Sequence, residues 1–479
     1  MASRDPHIIL LMADHLRRDC LSCYGNVPVN TPHLDAIADQ SVIFDRAYCS
    51  TPLCIPTRTS MYTAKWPHVN GSIVNGGFEK EVPHSIAGAE HRTLYEQLDA
   101  GGYAITHVGV DHCRTEPPVV ERVPAARINP DCGWQEWLVS RGIDPYEVTT
   151  GLIAEHRRPT PNYEDGQVKV KHFPSPNAIA RFPLPASDYL DMFWARRAAE
   201  LIRQIDFSRP QFIEVLFWAP HLPFYVPDPY YGMYDPDSLE LPETVGRWYD
   251  GQPATLLLQT CGAQGALLSR EQWRPVWSAY MGLVTMVDDC VGIVIEALRQ
   301  RGIWDDALVI FQQDHGESLG CHSLFQKHCA YDEAIRIPML IKPPGAGTGR
   351  REQLVGHIDF ADTICDYAGL DRIPGSQGCS MRPLIEGAVT PWRDAHFIEY
   401  NGDHGRSTPI RAVVAEVDGS SWKYIYNHGD VDELYDLEAD PLEMHSLVAD
   451  PEHAPLRDVL RGRLSQWMAE TTDFITMTA

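Results

Sequence analysis

Two apolar runs, far apart in the chain, end in the same pair of polar residues. Residues 8–13 lead into an Asp-His pair at 14–15, and the mostly apolar residues 307–313 lead into an Asp-His pair at 314–315. Such continuous apolar runs predict strands that are buried on both faces, as in a parallel sheet covered by helices. Because function in open α/β sheets collects beyond the carboxyl ends of the strands, we expect both pairs at that edge of a sheet.

The two Asp-His pairs together offer two carboxylates and two imidazoles to a metal ion. The residues are Asp14, His15, Asp314 and His315. Neither pair could supply four ligands alone, whereas two neighbouring strand ends could, so the pattern indicates a divalent metal site. Considered by itself, Asp14 fits equally well as a cap for the turn that follows it.

Residues 54–58, Cys-Ile-Pro-Thr-Arg, combine a thiol, a proline and an arginine in about one helical turn. Proline is favoured in the first turn of a helix, so we predict a helix that begins near Cys54. Helix N-termini attract anions, and Arg58 lies one turn later on the same face. We therefore expect Cys54 at the floor of an anion-binding pocket, partly exposed, although isolated cysteines are more often buried residues without a chemical role.

Two histidines follow further predicted strands. The strand pattern at 103–109 leads to His112, and the pattern at 212–218 leads to His221. Prolines on both sides of His221 restrict its loop, which suits a side chain that must be in place before a substrate arrives. Single histidines are more often structural, so the functional interpretation of His112 depends on its position after a strand.

The length of the chain predicts two domains of unequal size. In the first, 1–385, apolar strands alternate with helices, which is typical of an α/β domain. In the second, 386–479, strand patterns between 396 and 426 precede a helix at 455–471, which predicts a small antiparallel sheet with a helix. Residues 114–185 show no sustained periodicity, and we predict a long excursion over the mouth of the active site, where substrate choice resides.

Charge and composition disfavour several classes of partner. The chain has 65 acidic and 40 basic residues, and its formal net charge of −25 argues against nucleic acid and anionic membranes as partners. No apolar run is long enough for a transmembrane helix, and no secretory signal is recognisable. With 12 cysteines and no such signal, we expect packed thiols in a reducing compartment, and hence a cytoplasmic enzyme.

Several segments resemble the sequence blocks of one enzyme family. They are Cys-x-Pro-x-Arg at 54–58, Ala-Pro-His-x-Pro-Phe at 219–224, Asp-His-Gly-Glu at 314–317 and Gly-x-His-x-Leu-x-x-Lys at 320–327. This pattern resembles the type I sulfatases of the alkaline phosphatase superfamily, near the phosphonate monoester hydrolase and choline sulfatase branches. The resemblance implies an alkaline phosphatase-like α/β fold: a large mixed, mostly parallel central sheet with helices on both faces, plus the small C-terminal antiparallel sheet with its helix.

The resemblance also implies a set of site residues. In this family a formylglycine-generating enzyme oxidises the cysteine to formylglycine, and we expect this change at Cys54. The expected catalytic residues are Cys54, Arg58, His112, His221 and Lys327; the substrate-binding residues are His221, Lys327 and Asn75; the ligands of one divalent metal, Ca²⁺ or Mn²⁺, are Asp14, His15, Cys54, Asp314 and His315. Two imidazoles would favour Mn²⁺ or a similar ion over Ca²⁺, which prefers oxygen ligands.

These residues imply a hydrolase that cleaves the sulfate monoester of a small anionic substrate. The alternative is a phosphonate monoester hydrolase or phosphodiesterase with the same site, since Val110 stands where the sulfatase pattern has lysine. Further departures are Thr57, where the family usually has Ser or Ala, and His15, where it usually has Asp, Asn or Gln. Two other classes compete: a metal-dependent phosphodiesterase with an unmodified cysteine, and a non-catalytic binding protein. A homo-oligomer is compatible with the sequence.

Overall fold

The structure is a computed structural model that describes residues 5–25, 27–76, 84–129, 132–164, 167–345, 347–402 and 408–477, and of residues 158–173 it describes the backbone alone. The strands are β1 (Ile8–Asp14), β2 (Val42–Phe44), β3 (Ala47–Tyr48), β4 (Ala104–Gly109), β5 (Arg127–Ile128), β6 (Arg157–Glu164), β7 (Gln167–Pro174), β8 (Ile179–Arg181), β9 (Gln211–Pro220), β10 (Phe224–Val226), β11 (Leu308–Gln313), β12 (Arg336–Ile337), β13 (Met339–Lys342), β14 (Gly349–Arg351), β15 (Val355–Gly356), β16 (Ala395–Tyr400), β17 (Ile410–Val417), β18 (Ser420–Asn427) and β19 (Glu433–Asp436).

Helices lie between several of these strands along the chain. They are α1 (Pro32–Ala38), α2 (Cys54–Thr63), α3 (Pro67–Asn70), α4 (Leu94–Ala100), α5 (Val119–Arg122), α6 (Trp134–Ser140), α7 (Leu190–Gln204), α8 (Thr255–Leu258), α9 (Thr260–Gly265), α10 (Arg270–Gln300), α11 (Asp332–Ile335), α12 (Phe360–Tyr367), α13 (Arg382–Ile385) and α14 (Ala454–Glu470). In the described part of the chain, no helix combines the length and the apolar composition needed to cross a membrane.

The central sheet has the strand order β14-β2-β13-β11-β1-β9-β4-β5. The strands from β11 to β5 run parallel to one another, and β1 lies between β11 and β9. Strand β13 runs antiparallel to both β11 and β2, so it is the reversed strand of a mostly parallel sheet. This confirms the predicted fold class, and it puts the two Asp-His strand ends side by side.

The sheet is buried on both faces because β1 divides its side chains between two cores. Ile9 and Leu11 belong to the core that contains residues of α7 and α10, such as Trp277. Leu10 belongs to the opposite core, which contains residues of α2 and α12, such as Phe360. Successive strand side chains point to opposite faces, so an uninterrupted apolar run fits only a sheet covered on both sides, as predicted.

The C-terminal part forms the expected small sheet. Strands β16, β17, β18 and β19 pair antiparallel in that order. Helix α14 packs on it through residues that include Leu460 and Leu464, which share a core with Val413 and Tyr424. The division of the chain into domains 1–385 and 386–479 stays a prediction.

The excursion at 114–185 is more regular than its sequence indicates. It contains α5, α6 and an antiparallel hairpin of β6 and β7, and its strand β8 pairs in parallel with β10. Short elements of this kind lack the sustained periodicity on which sequence-based prediction depends. Its expected place over the mouth of the active site stays a prediction.

Candidate active site

Polar residues follow four adjacent parallel strands at one edge of the central sheet. In the strand order β11-β1-β9-β4, Asp314, Asp14, His221 and His112 lie at or just beyond the successive carboxyl ends. Parallel strands bring their carboxyl ends to the same edge, which is why segments far apart in sequence meet there.

Helix α2 brings the thiol to this edge. Cys54 is its first residue, as predicted, but only 5% of the residue is exposed, so the expectation of a partly exposed cysteine is wrong. Asn75 Oδ1 accepts a hydrogen bond from Ile55 N (3.1 Å) and so satisfies one of the free amides of the first turn. The role of Asn75 in substrate binding stays a prediction. Thr57 Oγ1 lies 2.9 Å from His357 Nδ1, so the hydroxyl at this unusual position contributes to packing within the protein.

Three site residues surround the Cys54 sulfur. Lys327 Nζ donates a hydrogen bond to Sγ at 2.8 Å, His315 Nε2 lies 3.2 Å from Sγ, and Asp14 Oδ1 lies at 3.6 Å. Burial, and then the negative charge of Asp14, raise the pKa of the thiol, so an unmodified Cys54 is neutral in this environment.

Arg58 joins the two buried carboxylates. Its guanidinium donates to Asp14 Oδ2 at 2.9 Å and to Asp314 Oδ2 at 3.0 Å, and it also donates to the carbonyl of Val110 at 3.2 Å. Burial and the charge of Asp314 raise the pKa of Asp14 to about 7. For Asp314 burial acts in the same direction, but neighbouring cations that include Arg58 hold its pKa below the usual value. One arginine therefore does not compensate both charges.

The site residues could hold a divalent metal. Asp14, Cys54, Asp314 and His315 each offer a ligand atom, and these atoms all lie within 4.8 Å of one another. Asp14 and Asp314 are fully buried carboxylates beside the His315 imidazole, and carboxylate with imidazole suits a divalent ion. A second group of the same kind combines Asp14 and Cys54 with His15 and His221. Which of these side chains bind the metal stays a prediction.

Contacts on both of its ring nitrogens fix the His15 ring. Nδ1 donates to Glu317 Oε2 at 2.7 Å, and Nε2 accepts from Lys327 Nζ. The carbonyl of His15 accepts from Tyr280 Oη at 2.7 Å, and the residue has a positive φ of 63°. Burial, followed by the charge of Lys327, lowers the pKa of His15, so the imidazole is neutral and its Nε2 carries the lone pair.

His221 and His112 are linked to this cluster by ring contacts. The ring centroids of His15 and His221 are 4.1 Å apart, and those of His221 and Trp218 are 4.2 Å apart. His112 lies edge-on to Trp218 at 6.4 Å. Burial, then the charge of Lys327, lowers the pKa of His221 to about 3, and burial, then Arg58, lowers that of His112.

The predicted residues therefore meet at one edge, together with two that sequence analysis did not assign to the site. Glu317 orients His15, and Trp218 lies between two histidines. Glu317 stands in the Asp-His-Gly-Glu block, which was a usable signal. No comparable signal marks Trp218, because an aromatic residue in an apolar strand indicates only a core position.

Comparison with known proteins identifies the family of the chain. The model of the family described as "Sulfatase" matches residues 6–370, well over half of the chain. The chain belongs to the sulfatase family. A second model, "N-sulphoglucosamine sulphohydrolase, C-terminal", matches residues 320–470.

Individual relatives cover nearly the whole chain. The arylsulfatase of Clostridium perfringens (strain 13 / Type A) is 24% identical over 477 residues, with 95% of this chain and 93% of the relative covered. The choline-sulfatase of Rhizobium meliloti (strain 1021) is 25% identical over 488 residues, with 99% and 89% covered. The crystal structure of the phosphonate monoester hydrolase of Agrobacterium radiobacter superposes with a TM-score of 0.78 at 25% identity, covering 97% of this chain and 96% of that one. The protein is therefore a sulfatase-type hydrolase, and the predicted resemblance to the type I sulfatases, near the phosphonate monoester hydrolase and choline sulfatase branches, is confirmed.

Proposed function

We propose that this sulfatase hydrolyses sulfate monoesters of small alcohols with a formylglycine nucleophile made from Cys54. The observation that carries the proposal is the surroundings of Cys54 Sγ: Lys327 Nζ at 2.8 Å and His315 Nε2 at 3.2 Å, with the Asp14 carboxylate at 3.6 Å. Formylglycine, once hydrated, supplies a hydroxyl nucleophile at this position. Maturation by a formylglycine-generating enzyme and a cytoplasmic location belong to the same proposal.

A divalent metal fits the same place. We infer that Asp14, Asp314, His315 and the side chain at position 54 hold it, with His15 as a further ligand. When bound, the ion supplies positive charge that activates the nucleophile and neutralises the charge that develops on the ester oxygens. The imidazole donors favour Mn²⁺ over Ca²⁺.

The chain's own side chains bind the ester and move the protons. Lys327, as the ammonium donor at the site, binds a non-bridging oxygen of the substrate. A ring nitrogen of His221 lies within 4.8 Å of Cys54 Sγ, and Nδ1 donates to the carbonyl of Leu222. An arriving anion raises the pKa of His221, so the ring can then bind or protonate the leaving oxygen. His112, neutral through burial, accepts the proton released at position 54.

Phosphonate monoesters and phosphodiesters are the second candidate substrates. A solved phosphonate monoester hydrolase superposes with a TM-score of 0.78. Val110 is buried at the site, where the sulfatase pattern has lysine, and its carbonyl accepts from Arg58. Sulfate monoesters and phosphodiesters carry one negative charge, whereas phosphate monoesters carry nearly two at neutral pH. A buried site with one cation fewer than the sulfatase pattern supplies should bind the doubly charged phosphate monoester least well.

Two measurements test the proposal. Intact-protein mass after co-expression with a formylglycine-generating enzyme should show the loss that accompanies conversion of thiol to aldehyde at Cys54, with Cys54→Ser as the unconverted control. The values of kcat/KM for an aryl sulfate, phosphonate, diester and phosphate monoester with one leaving group should then put a monoanion first. A phosphate monoester in first place would contradict the charge argument. Full turnover with an unmodified thiol would favour the phosphodiesterase with a plain cysteine.

A further inference from the structure

A buried histidine that the proposed mechanism does not use joins two elements of the site. His357 directly follows β15 and is fully buried. Its Nδ1 lies 2.9 Å from Thr57 Oγ1 on α2, and its Nε2 lies 2.7 Å from the backbone oxygen of Gln313, the last residue of β11. One imidazole therefore connects the helix that begins with Cys54 to the strand that ends just before Asp314.

The partners of His357 fix which ring nitrogen carries the proton. Burial lowers the pKa of His357 to about 4, so the ring is neutral. A carbonyl oxygen can only accept, so Nε2 donates to Gln313 and Nδ1 carries the lone pair. Nδ1 therefore accepts from the Thr57 hydroxyl, which in turn accepts from Ser50 Oγ at 3.2 Å. We call this directed series of hydrogen bonds, from Ser50 through Thr57 and His357 to Gln313, the His357 bridge.

Gln313 extends the His357 bridge to a third element. Its Oε1 accepts from the backbone N of Ala13 in β1 at 3.1 Å, so its side chain contacts β1 while its carbonyl contacts His357. Ala13 directly precedes Asp14, and Gln313 directly precedes Asp314. Each of the two carboxylates that are proposed to bind the metal therefore follows a residue that these hydrogen bonds hold.

The backbone around His357 is itself held by buried contacts. Asp359 Oδ2 accepts from Gly356 N at 3.0 Å, and Asp359 Oδ1 accepts from Cys379 N at 2.8 Å. A Cβ atom at Gly356 would lie 2.6 Å from the backbone oxygen of Tyr48, so this segment packs directly against β3. The imidazole thus projects from a fixed backbone, which a side chain needs if it is to hold other elements in place.

The spacing of the three elements matters because the site combines atoms from all of them. Ligand atoms of Asp14, Cys54 and Asp314 lie within 4.8 Å of one another, and each comes from a different element. A displacement of about 1 Å between reacting groups costs roughly 100-fold in rate. Both hydrogen-bond partners of His357 lie within three residues of a proposed site residue, so a shift of the imidazole would be transmitted to the site.

We propose that His357 is a positioning residue, which sets the spacing between the nucleophile at position 54 and the metal ligand Asp314 through Thr57 and the carbonyl of Gln313. This inference rests on the proposed function, which assigns the nucleophile and the metal to these residues. It gives the hydroxyl of Thr57 a role in the geometry of the site.

Substitutions of Thr57 separate the hydroxyl from the side-chain volume. Thr57→Val keeps the volume and removes the hydroxyl, whereas Thr57→Ser keeps the hydroxyl. The affinity for Mn²⁺ is measured by calorimetry, and kcat for an aryl sulfate is counted per molecule converted at Cys54, as determined by intact-protein mass. Thr57→Val should lower both by roughly 10–100-fold, as the loss of groups that orient metal ligands does, with little change in KM. Thr57→Ser should stay near the wild type.

Substitutions of His357 test the same bridge from its centre. His357→Gln keeps one donor and one acceptor on a neutral side chain, whereas His357→Leu keeps a similar volume alone. The glutamine variant should therefore retain more Mn²⁺ affinity and a higher kcat than the leucine variant. Because both residues act through one bridge, Thr57→Val combined with His357→Leu should lose no more than His357→Leu alone. Thr57→Val keeps its volume, so it provides a folded variant if His357→Leu does not fold.

Thr63→Val is the matched control in the same helix. Thr63 is also fully buried, but its Oγ1 donates to the carbonyl of Thr59 at 2.8 Å and accepts from Asn70 Nδ2 at 3.2 Å. This variant should keep the Mn²⁺ affinity and kcat of the wild type.

Three results would overturn the assignment of His357. The first is an equal loss in Thr57→Val and in Thr57→Ser or Thr63→Val, and the second is a double variant whose losses multiply. The third is a lower free energy of unfolding with unchanged Mn²⁺ affinity and kcat, which would mean that His357 only stabilises the core. Failure of the proposed function would appear separately, as a wild type that does not hydrolyse aryl sulfates, and the Mn²⁺ affinities would then still test the bridge.

Discussion

Replacement of Arg58 by methionine tests whether the two buried carboxylates depend on a neighbouring cation. Arg58 is 1% exposed, and it donates to Asp14 Oδ2 at 2.9 Å and to Asp314 Oδ2 at 3.1 and 3.0 Å. The Arg58→Met variant keeps the side-chain volume but leaves both carboxylates without this partner. Breaking a buried ion pair on one side destabilises a protein by about 3–5 kcal/mol.

The size of the effect should depend on the metal. Without metal, the free energy of unfolding of Arg58→Met should fall by about 3–5 kcal/mol relative to the wild type, as measured by urea denaturation with EDTA present. With a saturating divalent ion, a second cation compensates the same carboxylates, so the difference should become smaller. Turnover should fall by roughly two to four orders of magnitude if the same interaction energy is lost in the transition state.

Arg350→Met is the control because it removes the same type of contact at the surface. Arg350 Nε donates to Asp45 Oδ2 at 2.9 Å, and 48% of the arginine side chain is exposed. Exposed pairs contribute about 0–1 kcal/mol, so this variant should retain stability and turnover. Equal unfolding midpoints for Arg58→Met and the wild type in EDTA would refute the reasoning, as would near-normal turnover of the metal-loaded variant.

Three further predictions concern the nucleophile, the metal and pH. Cys54→Ala should abolish aryl sulfate hydrolysis while it lowers the free energy of unfolding by only about 1 kcal/mol, since one sulfur atom is removed. Turnover of this variant near the wild-type level would contradict the prediction. His15→Gln should lower the affinity for Mn²⁺ relative to Ca²⁺ by about tenfold in calorimetric titrations, and an unchanged ratio would exclude His15 as a ligand. Asp473 accepts from Arg411 Nε at 2.5 Å; although burial opposes its charged form, Arg411 lowers the pKa of Asp473 below 3.8. Its contribution is therefore present above about pH 4 and is lost at lower pH, so the stability difference between the wild type and Asp473→Asn should shrink on acidification; a constant difference would contradict this.

The sequence predicted the parts of the site that depend on local pattern. Uninterrupted apolar runs predicted β1 and β11, and both strands form with their Asp-His pairs at the end. Proline in the first turn predicted the start of α2 at Cys54, and the helix begins there. Each of these signals involves neighbours in the chain, where side-chain periodicity and backbone preference act directly.

Other features depended on which strands lie side by side. The sequence does not encode the order β11-β1-β9-β4 in any short window, and this order brings His221 and Trp218 to Asp14. The sequence-based prediction of a partly exposed Cys54 was wrong for the same reason. The first residue of an isolated helix is accessible, whereas here residues at other strand ends and Lys327 pack around Cys54.

The pairing of His15 with Glu317 and the contacts of His357 with Thr57 and Gln313 follow from the same packing. By itself, the sequence determined the family, the fold class and the reactive residue types. The tertiary structure decided which side chains share charge, protons and contact surface, because those interactions act through space between segments that only the packed sheet brings together.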